Sequence, residues 1–206
     1  MNPLITCNTA SFGYGTGRRK TLVQRNISFF LMPGDILVLR GENGAGKSTL
    51  LKGLISLASC FSGTVSLQCA KGAYAYVPQE QSLTSDTPAT VMDILRMAGI
   101  SPKIINARDF SLPSELKIAS LIQARFGSLS QGQKKRVLFA RALMCSPRVL
   151  LMDEPLAATD RESAARICEK TLQFCRKGGA AIIASHSDMW GENTKSLYLR
   201  KDGQCG

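Results

Sequence analysis

The chain has one histidine, few aromatic residues (6%) and no apolar run near the roughly 20 residues that a membrane-spanning helix needs. With His186 alone, a histidine-built metal centre is excluded. So few aromatics give no stacking platform for single-stranded nucleic acid, and without a long apolar run the chain crosses no membrane as a helix. Also missing are C-x-x-C pairs, internal repeats and low-complexity tracts. The seven cysteines are Cys7, Cys60, Cys69, Cys145, Cys168, Cys175 and Cys205; their odd number argues against a complete disulfide framework and for a reduced cytoplasm. Cys168 and Cys175 share a helix face, but with no histidine near them burial beside Leu172 is the expectation. Met1–Thr6 carries no basic segment followed by an apolar one, so a secretory leader is not expected.

Acidic residues are also scarce: 15 against 26 basic ones, a formal charge of +11. The basic clusters, Arg18-Arg19-Lys20 and Lys134-Lys135-Arg136, are not interleaved with aromatics. The first reads as a solvated hairpin turn and the second as a helix face, so no nucleic acid partner is expected; a position against an anionic membrane surface is compatible with this charge. The remaining composition, 44% hydrophobic and 20% charged, is that of one globular domain with a real core.

What the sequence does have begins at Gly41-Glu42-Asn43-Gly44-Ala45-Gly46-Lys47-Ser48, followed by Thr49, which fits G-x-x-x-x-G-K-[ST]. Glycines let the backbone turn its N–H groups inward as an anion nest, Lys47 reaches the outer phosphates and the Ser48 hydroxyl is a Mg²⁺ ligand. Ile36–Leu39 reads as a buried strand before this loop and Thr49–Ile55 as a helix after it, whose N-terminal dipole favours phosphate. A second segment, Val149-Leu150-Leu151-Met152-Asp153-Glu154-Pro155, reads as a buried parallel strand that delivers two carboxylates at its carboxyl end, where ligands of open α/β sheets bind. Asp153 suits Mg²⁺ held through water, and Glu154 suits polarising the water that attacks a terminal phosphate. A third apolar run, Ala180–Ala184, ends just before His186.

Short strands with glycine turns occupy residues 4 to 40, and Gly63–Leu67 and Ala73–Val77 add two more. Helical spacing of apolar residues follows over Thr90–Met97 and Glu115–Ile122, interrupted by Pro102 and Pro113.

Between the phosphate loop and the Asp-Glu strand stands Leu129-Ser130-Gln131-Gly132-Gln133-Lys134-Lys135-Arg136-Val137. This resembles the L-S-G-G-Q signature of the ATP-binding cassette (ABC) family, with Gln131 where the family usually has its first glycine, and the resemblance covers essentially the whole chain. It implies a P-loop α/β fold of the ABC type, with a mixed sheet core, an antiparallel β region and a helical subdomain. The expected division is one nucleotide-binding domain over 1–206, its core formed by 1–80 and 127–206 and its helical subdomain by 81–126. The physical basis of the signature is visible: a Ser-x-Gly turn opens a helix and offers its N–H groups. An ordinary serine N-cap is the plainer alternative for the same residues.

The resemblance also implies roles. Gly41, Asn43, Gly44, Ala45, Gly46, Lys47, Ser48 and Thr49 surround ATP, and Tyr14 stacks on its adenine, with Phe12 as fallback. Gln79 senses Mg²⁺ beside Ser48 and Asp153. Ser130, Gly132 and Gln133 meet ATP held by a second subunit, and Asp160 closes the loop that crosses between subunits, with Ala157 where the family usually has serine. Glu154, His186 and Lys47 form the catalytic set. The implied cofactors are ATP and Mg²⁺. The implied partners are integral membrane permease subunits, a second ATPase subunit, most simply a second copy, and a substrate-binding protein in the case of an importer. The implied location is the cytoplasmic face of the inner (plasma) membrane. For cargo the resemblance favours a divalent metal such as zinc or manganese, suggested by the brief turn between Leu67 and Tyr74, Tyr76-Val77-Pro78-Gln79 and the helix over Thr90–Leu95; the alternative is haem export for cytochrome c assembly, suggested by the short C-terminus and Asp153-Glu154-Pro155-Leu156-Ala157-Ala158-Thr159-Asp160. A soluble cassette ATPase outside transport is a further alternative.

Overall fold

The computed structural model describes residues 2–17, 19–67, 73–79, 88–99, 111–191 and 194–201. Outside these lie Arg18 of the first basic cluster, Cys69, Cys205, Pro102, most of the turn between Leu67 and Tyr74, and much of the expected helical subdomain.

Three strands form the central parallel layer because they are apolar up to the last residue of β3 and β6 and throughout β7: β3 (Ile36–Arg40), β6 (Val149–Asp153) and β7 (Ala180–Ala184). With β5 (Tyr74–Val77) and β8 (Lys195–Tyr198) they form a five-stranded sheet in the order β5-β6-β7-β3-β8, every pair parallel. Alternate residues feed two cores. Val38, Leu150, Met152, Ala181 and Ile183 pack to one side. Leu37, Leu39, Val149, Leu151 and Ile182 pack to the other.

On the second side lies an antiparallel sheet, β2-β1-β4, built from β1 (Ile5–Tyr14), β2 (Thr21–Leu31) and β4 (Ser59–Leu67). The expected antiparallel region is therefore a sheet of its own. Its central strand β1 carries register shifts around Ala10, with Thr9 at φ 44°, and there the inward alternation lapses so that Ala10, Ser11, Phe12 and Gly13 are all buried. Helix α1 (Lys47–Leu54) packs in the same core through Leu50, Leu51 and Leu54.

The other side is covered by α2 (Val91–Arg96), α3 (Leu112–Glu115), α4 (Gln131–Met144) and α5 (Arg161–Arg176). Thr90 and Asp93 cap α2 reciprocally, the Asp93 N–H donating to Thr90 Oγ1 at 3.2 Å and the Thr90 N–H to Asp93 Oδ2 at 2.9 Å. The helical spacing read through Glu115–Ile122 does not give one helix. Lys117 takes φ 51°, its N–H bonds the Ser114 carbonyl at 2.9 Å and the Ile118 N–H bonds the Pro113 carbonyl at 2.7 Å, a closing pair that ends α3. Leu116 and Ile118 are buried by this turn and by the short 3₁₀ segment Ala119–Leu121 that follows. Among the described residues no helix is long and apolar enough to cross a membrane.

Candidate functional site

The parallel strands β3, β6 and β7 end together, and the residues after each end meet there. β3 runs into the glycine loop. Gly41 takes φ 142°, where a Cβ would stand 2.3 Å from the Leu199 carbonyl oxygen, and Gly46, at φ 85°, is the N-cap of α1. Only glycine adopts these conformations without strain. Lys47, opening α1, folds back over the loop, its Nζ donating to the carbonyls of Gly41 (2.8 Å) and Glu42 (3.1 Å).

β6 ends on Asp153, which is buried. Its Oδ2 accepts from the Tyr76 hydroxyl at 3.3 Å, and its Oδ1 is buried with no protein partner among the described residues. Burial, with Asp153 second, pushes the Tyr76 phenol well above its ordinary pKa, so Tyr76 stays a donor. The next residue, Glu154, turns at φ 48° and ties its N–H to the Ala184 carbonyl at 2.9 Å, joining the ends of β6 and β7. Burial raises the pKa of Glu154 above its ordinary value, Asp153 adds to the rise, and His186, Lys47 and Lys135 oppose it.

After β7 comes His186. Its Nε2 lies 3.0 Å from Lys47 Nζ, 3.2 Å from Asn43 Oδ1 and 3.6 Å from Glu154 Oε1. One nitrogen cannot accept from Lys47 and donate to Asn43 at once. Unprotonated, Nε2 accepts from Lys47; protonated, it donates to Asn43 or Glu154. A cavity of about 290 Å³ lies between Val23, Asn43–Thr49, Gln79, Asp153 and Glu154. Gln79, exposed just after β5, reaches it from the sheet edge.

Ser130, Gly132, Gln133 and Asp160 do not line that cavity. They form a second cluster. Ser130 caps α4: the Gln133 N–H donates to its Oγ at 3.3 Å, and its own N–H donates to Gln133 Oε1 at 2.9 Å. Within the chain the plainer serine-cap alternative is therefore realised. Asp160 caps α5, its carboxylate accepting from Ser163 N–H at 2.8 Å and Ser163 Oγ at 2.7 Å, bonds that hold its pKa below the ordinary value. A Cβ on Gly132 would stand 2.2 Å from Asp160 Oδ2, so this glycine lets the two caps touch. Lys135 joins the clusters by donating to the carbonyls of Glu154 (2.9 Å) and Ala157.

Tyr14 is 41% exposed, and its hydroxyl accepts from Thr49 Oγ1 at 3.4 Å. The fallback aromatic Phe12 is wholly buried under Gly53, where a Cβ would stand 2.2 Å from its ring. It is a core residue with no face to offer a ligand. Three residues that reach the site were not singled out from the sequence: Tyr76, Lys135 and Gln24, whose Nε2 donates to the Ala45 carbonyl. Their motif neighbours gave no sign of these contacts, which depend on how the elements pack.

A protein-family model described as ABC transporter matches residues 24–157. The chain belongs to this ABC transporter family. It is the ATP-binding, ATP-hydrolysing subunit of such a transporter. Among curated relatives, the zinc import ATP-binding protein ZnuC of Yersinia enterocolitica is 33% identical over 92% of this chain and 72% of its own length. ZnuC of Photorhabdus laumondii is 36% identical over 92% of this chain and 70% of its own. In fold, the ABC cassette resembles a solved ATP-binding subunit of an ABC transporter, with TM-score 0.82 and 23% identity over 98% of this chain and 89% of that one. It also resembles a dimeric ATP-binding cassette in a post-hydrolysis state bound to ADP and Pi, with TM-score 0.79 and 20% identity over 98% of this chain and 97% of that one.

Proposed function

We propose that this ABC cassette powers the import of a divalent metal ion, zinc first, by binding ATP between two copies and hydrolysing it through Glu154. The observation that carries the chemistry is the convergence of Lys47, Glu154 and His186 within hydrogen-bonding or ion-pair reach at the ends of three parallel strands. The cargo assignment rests on relatives that are named for zinc import at 33 and 36% identity.

In this reading Gly41, Asn43, Gly44, Ala45, Gly46, Lys47, Ser48 and Thr49 hold the phosphates, the loop N–H groups and the Lys47 ammonium offsetting their charge. Lys47 exchanges its present carbonyl partners for phosphate oxygens. Tyr14 keeps an exposed face for adenine. The orphaned, buried Oδ1 of Asp153 fits a cation reached through water, with the Ser48 hydroxyl and the Gln79 amide around the same cavity. Bound there, Mg²⁺ would neutralise charge on the outer phosphates. Glu154 takes a proton from the attacking water as its oxygen bonds the terminal phosphorus and the bond to the bridging oxygen breaks, leaving ADP and phosphate. His186, its Nε2 3.6 Å from the Glu154 carboxylate, holds the terminal phosphate and the water in line.

Ser130, Gly132, Gln133 and Asp160 face the nucleotide of the second copy, so each ATP completes an interface that is poorly paired without it. The core spans 1–80 and 127–206 and the helical subdomain 81–126, whose surface meets membrane permease subunits at the cytoplasmic face of the plasma membrane. A substrate-binding protein delivers the cargo on the far side.

The test is purification of tagged Glu154→Gln protein from detergent-solubilised membranes in the presence of ATP, with mass spectrometry of the co-purifying chains. A polytopic membrane protein at matching stoichiometry is the expected result. Recovery with soluble proteins alone would sink the transport reading and leave the ATP chemistry standing.

A further inference from the structure

Gln24 is the one glutamine of β2, and it lies at an inward position, wholly buried. An apolar side chain is the ordinary occupant of such a place. Its Nε2 donates to the carbonyl of Ala45, in the middle of the phosphate loop, and its Oε1 is buried with no protein partner among the described residues. The reverse amide orientation would set two acceptors against each other, so the chemistry fixes which end faces the loop. An orphaned buried acceptor weakens a fold, and its retention asks for a compensating role.

We propose that Gln24 is a positioning residue for ATP: by holding the Ala45 carbonyl it aims the Gly46 N–H into the phosphate cavity. In a trans peptide the carbonyl and the following N–H point in opposite directions, and the described chain has no cis bonds. Anchoring the Ala45 carbonyl toward β2 therefore turns the Gly46 N–H away from β2. Turned toward β2, that carbonyl accepts no N–H of α1. The first helical bond is then Leu50 N–H to the Gly46 carbonyl at 2.9 Å, and the N–H groups of Gly46, Lys47, Ser48 and Thr49 are left for an anion. The packing agrees. A Cβ on Gly46 would stand 2.7 Å from Gln24 Nε2 and 2.8 Å from Val23 Cγ1, so β2 presses directly on the left-handed residue that precedes α1.

The test replaces the amide by an unbranched apolar chain of similar length, Gln24→Met, which removes the bond and the orphan together. Two quantities are measured: the melting temperature of the nucleotide-free protein, and the Kd for ATP with Mg²⁺ by titration with a fluorescent ATP analogue. The expected result is a split, with melting unchanged or raised and Kd raised about tenfold, or about 1.4 kcal/mol. Affinity within twofold of wild type overturns the proposal. So does a melting temperature that falls by several degrees together with the affinity, because Gln24 would then be a packing residue. Gln24→Leu is measured alongside; if neither variant folds, the role is structural and the proposal fails.

Discussion

The two halves of the nucleotide site are built in opposite ways. Around the phosphate loop polar groups are left unfinished: Asp153 Oδ1 has no protein partner among the described residues, Lys47 borrows loop carbonyls, and His186 Nε2 stands among three groups it cannot serve at once. At the signature turn the two caps are finished, Ser130 with Gln133 and Asp160 with Ser163 closing inside the chain, although Arg136 Nε, one turn further along α4, is buried with no protein partner among the described residues. A ligand is expected where the groups are left open. Unpaired buried groups weaken a lone chain, by about 1–3 kcal/mol each, and are kept where a ligand will satisfy them. Satisfied caps hold a surface rigid, ready for a ligand that another molecule brings.

The largest expected effect breaks the unfinished half. Glu154→Gln removes the base while keeping shape, and steady-state phosphate release is expected to fall by about 10²-fold or more, with ATP binding retained. Hydrolysis at the wild-type rate would remove Glu154 from its role. Next comes Gly132→Ala, which drives a methyl group into the Asp160 carboxylate of the finished half. Overpacking of this kind costs about 1–3 kcal/mol, read as a lower denaturation midpoint, and it should reduce ATP-driven dimerisation seen by size-exclusion chromatography. An alanine variant with unchanged stability and assembly would mean that the two caps are not one rigid surface. Ser130→Ala is milder. Loss of the cap bond to the Gln133 N–H is expected to cost about 1 kcal/mol, or roughly 2–4 °C in Tm.

The same contrast explains what could be read from sequence. The unfinished half is written in contiguous motifs, Gly41–Thr49, Asp153-Glu154 and His186, because each ends a buried strand whose apolar run is visible beside it. Gln24 and Tyr76 reach the same place from other strands, and strand alternation gives a face without naming what lies opposite. Phe12 was admissible as the aromatic until the irregular β1 turned it inward onto Gly53. The break at Lys117 was hidden for a related reason. Leu116 and Ile118 keep an apolar rhythm through a left-handed residue that no glycine announces.

The smallest effect is also the most direct measure of the contrast, because one carboxylate in each half is shifted in an opposite sense. Burial raises the folded-state pKa of Glu154 from an ordinary value of 4.5. The folded state then binds its proton more tightly than the unfolded one, so stability is lost as pH rises from about that value through the raised folded pKa, and the deficit persists at neutral pH. Asp160 is lowered from 3.8 by its Ser163 bonds, so its contribution is present above that value and is lost as pH falls through the lowered folded pKa. In nucleotide-free protein, Glu154→Gln should therefore melt at or above wild type at pH 7, with the difference closing as pH approaches the ordinary carboxylate value. Asp160→Asn should melt below wild type at pH 7, with its difference closing only in stronger acid. Melting curves of both variants between pH 3 and 8, a window set by those ordinary pKa values, compare the halves in one experiment. If both substitutions lower Tm at pH 7 by the same amount, Glu154 is as well satisfied as Asp160, and the distinction between a half left open and a half closed is gone.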